Sequence, residues 1–566
     1  MAYQINAAGC SCCHQCKVNC PVSAIRFKGS KYWIDPEKCI DCGLCAELCH
    51  NCVIAKVGEE PKAAEKHELI HRECDVLVVG GGGSGLIAAA KAACETGKKV
   101  IVIEKSKKCG GNTWYAGGFR VHYSKLLAEA GEPDKRMEDI RKFMIDTLWA
   151  EDHHLVYNVY HATEHLCDWM REKCGCEDNF VVGTTPWGGK GLMVNTEGAP
   201  KFKRPDTSIG PGGGGSFMVW KMLEMCRQFG VEILTEHAAT KLITDESGAV
   251  TGVLASDPGG ETEISCKVCI MSTGCFSHDP ELQKMANPTS AMEGEPIHYF
   301  SVPTCTGDGI KMARAIGADI DYKNMKALAL GPAHHPFGFA GVCISRENEV
   351  MFVNADGKRW ANETDNTMVL RHRFLEQPKF INWAVCDSNI AKITTDRLIQ
   401  MRRDGDAGVA LFKNYLNEIE EESQLDMPTK KADTLEELAE LMGVPVDTFV
   451  AEVKRYNEFC RTGNDTDFFK APEFMVPIEK PPFYAFFGKR FQENAAGGMK
   501  INSDLQVLDT EGKPIKGLYA TGDNCRGVLI GGDVGTDYVE RMISACTFAC
   551  ASGYMAGENV VKYLDA

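Results

Sequence analysis

Hydrophobic and polar positions change rhythm several times along these 566 residues. From Asp75 the chain reads VLVV, an unbroken and largely β-branched run, then a glycine-rich stretch from Gly80 to Gly85, then the Ala-rich segment LIAAAKAA. That order predicts a buried strand, a tight turn and a helix. A second apolar run, from Val100 to Ile103, predicts another strand ending on Glu104. A charged linker at about residues 57–71 precedes the first strand, and the stretches EELAELMG and FVAEVKRYNEF, between about Asp404 and Gly463, predict amphipathic surface helices without chemistry. No apolar run reaches the length needed to span a membrane.

Strand, glycines, helix, strand and acid together predict a dinucleotide site. Gly80, Gly82 and Gly85 supply the G-x-G-x-x-G spacing, with Gly83 and Ser84 inside it. The first glycine makes the turn, the second lets a pyrophosphate approach the backbone, and the third packs helix on strand. The unsatisfied N–H groups of the helix N-terminus face the phosphates. Glu104, beside Lys105 and one helix and one strand past Gly85, stands where a carboxylate grips the adenosine ribose.

Eight cysteines near the start form two copies of one motif. Cys10, Cys13, Cys16 and Cys20 are followed, each at the same offset, by Cys39, Cys42, Cys45 and Cys49. Both runs read C-x2-C-x2-C-x3-C, which resembles the spacing of bacterial two-cluster ferredoxins. The resemblance implies two 4Fe-4S clusters, with the fourth cysteine of each run serving the other cluster. One set is then Cys10, Cys13, Cys16 and Cys49; the other is Cys39, Cys42, Cys45 and Cys20. A four-cysteine zinc site pairs two C-x2-C knuckles and fits this spacing poorly. Pro21 follows Cys20 as in the ferredoxins, but His50 stands where a second proline is expected, and Cys12 is positioned to compete with Cys13.

Composition narrows the partners. The length predicts two to four domains. A net charge of −16 argues against nucleic-acid and anionic-membrane partners and suits docking to a basic redox partner. Twenty-seven cysteines in a large chain, with no visible secretory signal, predict a reducing, cytoplasmic setting, and exposed clusters favour an anaerobe.

From Asp75 to the C-terminus the chain resembles the fumarate reductase/succinate dehydrogenase flavoprotein superfamily, including its ketosteroid dehydrogenase-like members. The residues that carry the resemblance are Gly110-Gly111-Asn112-Thr113, Ala116-Gly117-Gly118, Ser272-Thr273-Gly274, Thr306 to Gly309 around Asp308, Gly357 to Glu363, Pro481 to Ala485, and Gly517 to Asp523. The resemblance implies FAD, held by these segments, with Gly522 and Asp523 near the ribityl chain. Gly212 to Gly215 match a further glycine-rich flavin contact. The implied fold class is multidomain α/β plus α+β: a ferredoxin-like two-cluster domain (1–58), a Rossmann-type FAD-binding domain (72–290 and 485–566) and an inserted capping domain (291–484).

The substrate side departs from the family. Arg346 falls where the family has an arginine of its proton relay, but Cys343 replaces the glutamate three residues before it. Thr367 stands where the proton-donating arginine is expected, with Arg371 and Arg373 nearby. Glu493 and Asn494 replace the substrate-gripping histidine segment, and Asp533 aligns with a carboxylate-gripping arginine. Negative charge there repels a dicarboxylate and suits a neutral polar or cationic substrate. Tyr484, Tyr538 and His335 are candidate acids. Each has a structural alternative: Tyr484 as framework, the His334-His335 pair as a packed loop, Asp533 paired with Arg526 or Arg541, Arg346 holding a cap loop.

The expected activity is reduction of an activated C=C bond of a non-fumarate substrate by hydride from FAD, with electrons from an external one-electron donor such as ferredoxin or a redox partner protein. Desaturation uses the same parts in reverse. The rival is an electron-transfer subunit relaying electrons between ferredoxin and a partner enzyme; the cap insertion favours the enzyme.

Overall fold

The computed structural model describes residues 3–116, 123–141, 153–184, 190–194, 214–322, 326–328, 333–334, 344–403, 415–424, 429–525 and 545–565, apart from 11, 13, 14, 19, 29, 30, 59–64, 135, 139, 178, 179, 287, 300, 346, 366 and 493. The chain is mixed α/β. Its central sheet begins with β1 (Val76–Val79), buried along its whole length, which leads through the glycine turn into α1 (Gly83–Thr96) and on to β2 (Val100–Glu104). After α2 (Gly214–Gln228) come β3 (Glu232–Thr235), β4 (Val268–Met271), β5 (Gln506–Leu508), β6 (Pro514–Ala520) and the last helix, α3 (Ala545–Asp565). The sheet order is β3-β2-β1-β4-β6-β5. All neighbours are parallel except β5, which runs antiparallel to β6.

The apolar runs are explained by this position. A parallel strand covered on both faces has no polar side to show, so β1 and β2 read as continuous rather than alternating hydrophobics. Val76 pairs with Val100 on one side and Val268 on the other. A four-stranded sheet lies alongside, and its edge strand Ile70–Glu73 pairs parallel with Glu261–Ser265. The chain is therefore already in a strand at Ile70 and His71, within the stretch read as linker.

A further sheet, within the stretch expected to form the cap, is organised around the strand Phe483–Lys489, flanked by Ile381–Cys386 and Thr429–Ala432. It is buried on both faces, and alternation divides its residues between two cores. Tyr484, Phe486, Ala384 and Cys386 join Trp360 and Phe374 on one side; Phe483, Ala485, Phe487 and Trp383 join Phe449 and Tyr456 on the other. The helices Leu435–Met442 and Val446–Thr462 cover the second core with their apolar faces, as the amphipathic pattern predicts.

The segment from Gly357 to Glu363 ties this region together through a buried ion-pair network. The Arg359 guanidinium meets Glu363 at 2.9 Å and Asp465 at 2.8 Å, and the Lys470 ammonium meets Glu363 at 3.1 Å, all four side chains almost wholly buried. Glu363 also accepts the Phe352 N–H.

The cysteine segment repeats in structure as in sequence. The helix Gln15–Val18 and strand Ile25–Lys28 recur as the helix Leu44–Leu48 and strand Ile54–Lys56, at the same offset as the cysteines. Ile25, Phe27, Tyr32, Ile34 and Ile54 form its small core. Among the described residues, no helix is long and apolar enough to cross a membrane.

Candidate functional site

A cleft with about 770 Å³ of empty space, part of it open to solvent, lies where the parallel strands end. It collects Gly80, Gly82, Gly83, Ser84, Glu104, Lys105, Gly111, Asn112, Thr113, Thr273, Gly274, Asp308, Gly522 and Asp523 from segments far apart in sequence. Gly80 turns the chain at φ +110°. A Cβ on Gly82 would meet nothing within 4 Å, whereas one on Gly85 would lie 2.0 Å from the Gly80 carbonyl oxygen. Gly82 thus keeps a wall of the cleft bare, and Gly85 lies behind it, pressing α1 onto the turn. Gly215 packs the start of α2 against the backbone of Thr113 and Ala116; Gly117, Gly118, Gly212 and Gly213 lie outside the described residues.

The polar groups of the cleft hold one another. Glu104 accepts the Gly81 N–H at 2.8 Å through one carboxylate oxygen and the Ser106 N–H at 2.7 Å through the other. Thr113 Oγ1 accepts the Gly83 N–H at 3.2 Å. Lys105 Nζ donates to Asp308 at 2.6 Å and Thr306 at 2.7 Å, so these two predicted cofactor residues form an ion pair on the wall.

Sequence reasoning missed a buried thiol node beside the cleft. Asn112 donates to Cys275 Sγ at 3.6 Å, and its carbonyl oxygen accepts the Val302 N–H at 2.8 Å and the Cys305 thiol at 3.7 Å. Burial pushes the Cys275 thiol up, yet hydrogen bonds from Cys305, Ser277 and the Ala495 amide bring it down to about 6. Ser277 also accepts from Gln492, which follows Phe491 on a short strand paired with His298–Tyr299. Only the cysteine beside Thr273-Gly274 could have signalled this node.

Of the predicted catalytic residues, Tyr484 and Asn494 are among the described ones. Tyr484 lies in the core beside Phe486, its phenol pushed upward by burial, and it does not line the cleft. Asn494 lies on the strand Asn494–Ala496, whose next residue, Ala495, bonds Cys275. Arg373 pairs with Asp365 at 2.8 Å. Arg346, His335, Asp533, Tyr538, Glu493, Arg526 and Arg541 lie outside the described residues.

In the cysteine segment, Cys13 is also outside the described residues, and six of the other seven predicted ligands fall into two neighbourhoods, Cys20, Cys39, Cys42 and Cys45 in one and Cys10 and Cys49 in the other. Burial pushes the Cys45 thiol up to about 11, and its neighbours Cys42, Cys39 and Cys20 push the same way. Burial raises the Cys49 thiol, and its neighbours Cys52 and Cys10 push the same way. Cys10 is brought down to about 6 by a hydrogen bond from Cys12, with Lys31 beside it. The Ala24 N–H already points at Cys20 Sγ at 3.2 Å. Among the described residues no three His, Cys, Asp or Glu side chains converge on one metal position, so these are neighbourhoods rather than closed shells.

The two regions touch. Lys108 Nζ donates to the carbonyls of Glu47 at 2.7 Å and Cys49 at 3.2 Å. Tyr115 donates to Asn51 at 2.7 Å, and Asn51 in turn donates to the Gly9 carbonyl at 3.0 Å.

A residue set that bares a glycine turn, supplies an acid at the second strand end and gathers the family segments on one cleft fits FAD. Comparison with known proteins agrees. Over 523 residues the chain is 27% identical to the vinyl phenol reductase of Lactiplantibacillus plantarum, covering 87% of this chain and 97% of that protein. It is also 27% identical to the NADH:acrylate oxidoreductase of Vibrio harveyi, covering 87% of this chain but only 51% of that longer protein. The fold is that of a flavocytochrome c3 fumarate reductase in its open conformation, with TM-score 0.66 at 23% identity over 87% of this chain and 79% of the other. A 4Fe-4S binding domain matches residues 32–49. The FAD binding domain family matches residues 75–532, most of the chain, and this protein belongs to that family as an FAD-dependent oxidoreductase.

Proposed function

We propose that this flavoenzyme reduces an activated C=C bond of a non-fumarate organic substrate, drawing electrons one at a time through two 4Fe-4S clusters. The observation that carries the reading is the junction just described, which joins the cysteine segment to the loop lining the flavin cleft. Bound in place, FAD supplies hydride transfer and conversion between one- and two-electron chemistry, and the clusters supply single electrons.

The chain's own residues do the rest. The turn from Gly80 to Gly85 and the N-terminus of α1 receive the pyrophosphate, Glu104 receives the ribose, and Thr113, Thr273, Gly522 and Asp523 line the flavin side. Cys20, Cys39, Cys42 and Cys45 form one ligand set, and Cys10, Cys13, Cys16 and Cys49 the other. The cysteine segment is read as a ferredoxin-like domain of residues 1–58, the central sheet as a Rossmann-type domain of 72–290 and 485–566, and residues 291–484 as the cap that excludes water.

The carboxylate clamp of a fumarate reductase is largely replaced in the sequence, which argues against a dicarboxylate. The activities named for the relatives, on vinyl phenol and acrylate, support an unsaturated substrate of another kind. Asn494, Arg346, His335, Asp533 and Tyr538 are proposed to orient it and handle the proton. The cysteine-rich composition supports a reducing, cytoplasmic setting, with an external one-electron donor as partner.

The test is anaerobic turnover of holoenzyme reduced with a viologen dye, followed as dye reoxidation by fumarate, aryl acrylates, vinyl phenols, cyclic enones and steroid enones. Rapid turnover with one non-dicarboxylate class is expected. Rapid turnover of fumarate overturns the clamp argument, and no turnover with any of them, at full cofactor content, moves the chain to an electron-transfer subunit.

A further inference from the structure

The residue that departs from the ferredoxin pattern, His50, sits at the junction between the two regions. Its ring lies flat on Trp114, with centroids 4.7 Å apart and planes 5° from parallel, and meets Tyr115 edge-on at 5.6 Å. It is only 7% exposed, and its Nδ1 is buried without a hydrogen-bond partner among the described residues. The ring is therefore held by its face and edge against Trp114 and Tyr115, with no polar contact at Nδ1 among the described residues. Its Cε1 would lie 3.1 Å from a Cβ on Gly110, so the backbone of the flavin loop approaches it closely.

Both ends of this contact are one residue from chemistry. His50 follows the predicted ligand Cys49, and Trp114 follows Thr113, which lines the cleft. The surrounding contacts all involve the same side of the cysteine segment. They engage the carbonyls of Cys49 and Gly9, next to Cys10, and Gly9 also approaches Val53 and Pro303. Among the described residues, Cys39, Cys42 and Cys45 contribute nothing to these contacts; Cys42 is exposed, and so is Ile40 two residues before it.

We infer that His50 is a positioning residue for internal electron transfer: its stack on Trp114 fixes the ligand set containing Cys10 and Cys49 against the flavin loop, leaving the set containing Cys42 as the outer one. This rests on the two-cluster reading above. Electron transfer falls steeply with separation, so a planar wedge that leaves no room for water shortens and stiffens the crossing. A proline at position 50 would pack there without an aromatic face. The balance is simple: two one-electron donors, such as reduced ferredoxin or viologen, are each oxidised once, and the pair of electrons crosses the seam to the flavin, with protons taken from water.

The experiment compares holoenzyme, His50→Ala and His50→Phe by anaerobic stopped flow, following cluster bleaching and flavin bleaching separately after mixing with reduced viologen at limiting concentration. Iron and flavin content are measured first. Two clusters' worth of iron with one FAD is required by the functional reading, and a lower iron content in the wild type refutes that reading on its own. With full content, His50→Ala should leave cluster reduction unchanged and slow flavin reduction from the clusters by about tenfold or more, and His50→Phe should restore it. Flavin reduction that keeps pace in His50→Ala overturns the proposal, as does equal slowing in both variants, which would exclude the stack as the cause. Where His50→Ala loses iron, Trp114→Ala removes the stack from outside the cysteine segment, and an unchanged rate there overturns the proposal equally.

Discussion

The carboxylate of Glu104 accepts the amide N–H of Gly81 at 2.8 Å, so the acid that ends the second strand holds the glycine turn that follows the first. Its other oxygen engages Ser106. The spacing alone assigns Glu104 to the ribose, but the structure gives it work before any cofactor arrives. Glu104→Ala strands the buried Gly81 amide and the half-buried Ser106 amide, and it should destabilise the FAD-free protein by about 1–3 kcal/mol as well as weaken FAD binding. Denaturant unfolding of the apoprotein checks this; unchanged stability would show that the turn stands without Glu104.

Gly82 and Gly85 are separated by their surroundings. Gly85→Ala drives a methyl group into the Gly80 carbonyl and should cost about 1–3 kcal/mol or more through forced backbone movement. Gly82→Ala meets no protein atom, so its melting temperature without cofactor should match the wild type while FAD affinity falls. Thermal melts of stripped protein, paired with FAD titration, distinguish the two, and a Gly82→Ala variant binding FAD normally would place the pyrophosphate elsewhere.

The buried network of Arg359, Glu363, Asp465 and Lys470 makes stability depend on acid. Burial raises the Glu363 carboxyl, but the Lys470 ammonium and Arg359 guanidinium hold it below the ordinary range, and Arg359 does the same for Asp465. Both groups have folded values depressed below unfolded ones. Their stabilisation is therefore complete above the unfolded carboxylate value of about 4 and is lost as pH falls through the lower folded values. Melting temperature should drop across that window in the wild type. Glu363→Gln should be destabilised at neutral pH, because it leaves Arg359 and Lys470 with less compensation, and should lose part of the acid slope. Identical slopes in the two proteins would remove Glu363 from the account.

Iron content tests the cysteine neighbourhoods. Cys20→Ser and Cys49→Ser should each lower bound iron, because each removes a ligand of the opposite run's cluster, whereas exposed Cys52→Ser should keep it. Cys12→Ser should also keep iron, since Cys12 lies beside Cys10 as a hydrogen-bond donor and not in the repeat. Iron lost on Cys12→Ser and retained on Cys13→Ser would exchange their roles.

Much of the chemistry was legible because it is local. The glycine turn, the acid at the end of β2 and both cysteine runs depend on short spacings, and a strand buried on both faces declares itself as an unbroken apolar run. The doubling of the cysteine segment was readable for the same reason, since each copy builds the same short helix and strand. Tyr484 was harder. Whether a buried strand's tyrosine faces a cofactor or a core depends on which sheet receives the strand, and here the sheet turns it toward Trp360 and Phe374.

Sequence by itself determined that this chain carries a dinucleotide turn, a doubled cysteine motif and a family framework, because each rests on backbone geometry set by near neighbours. Only the tertiary structure decided that Lys105 pairs with Asp308, that Arg359, Glu363, Asp465 and Lys470 form one buried network, that Cys275 and Cys305 share Asn112, and that His50 lies on Trp114. Apart from Arg359 and Glu363, which are four residues apart, those partners come from distant parts of the chain or from separate segments of it. Their meeting depends on how the sheets and the cysteine segment close on one another, and no local pattern encodes that closure.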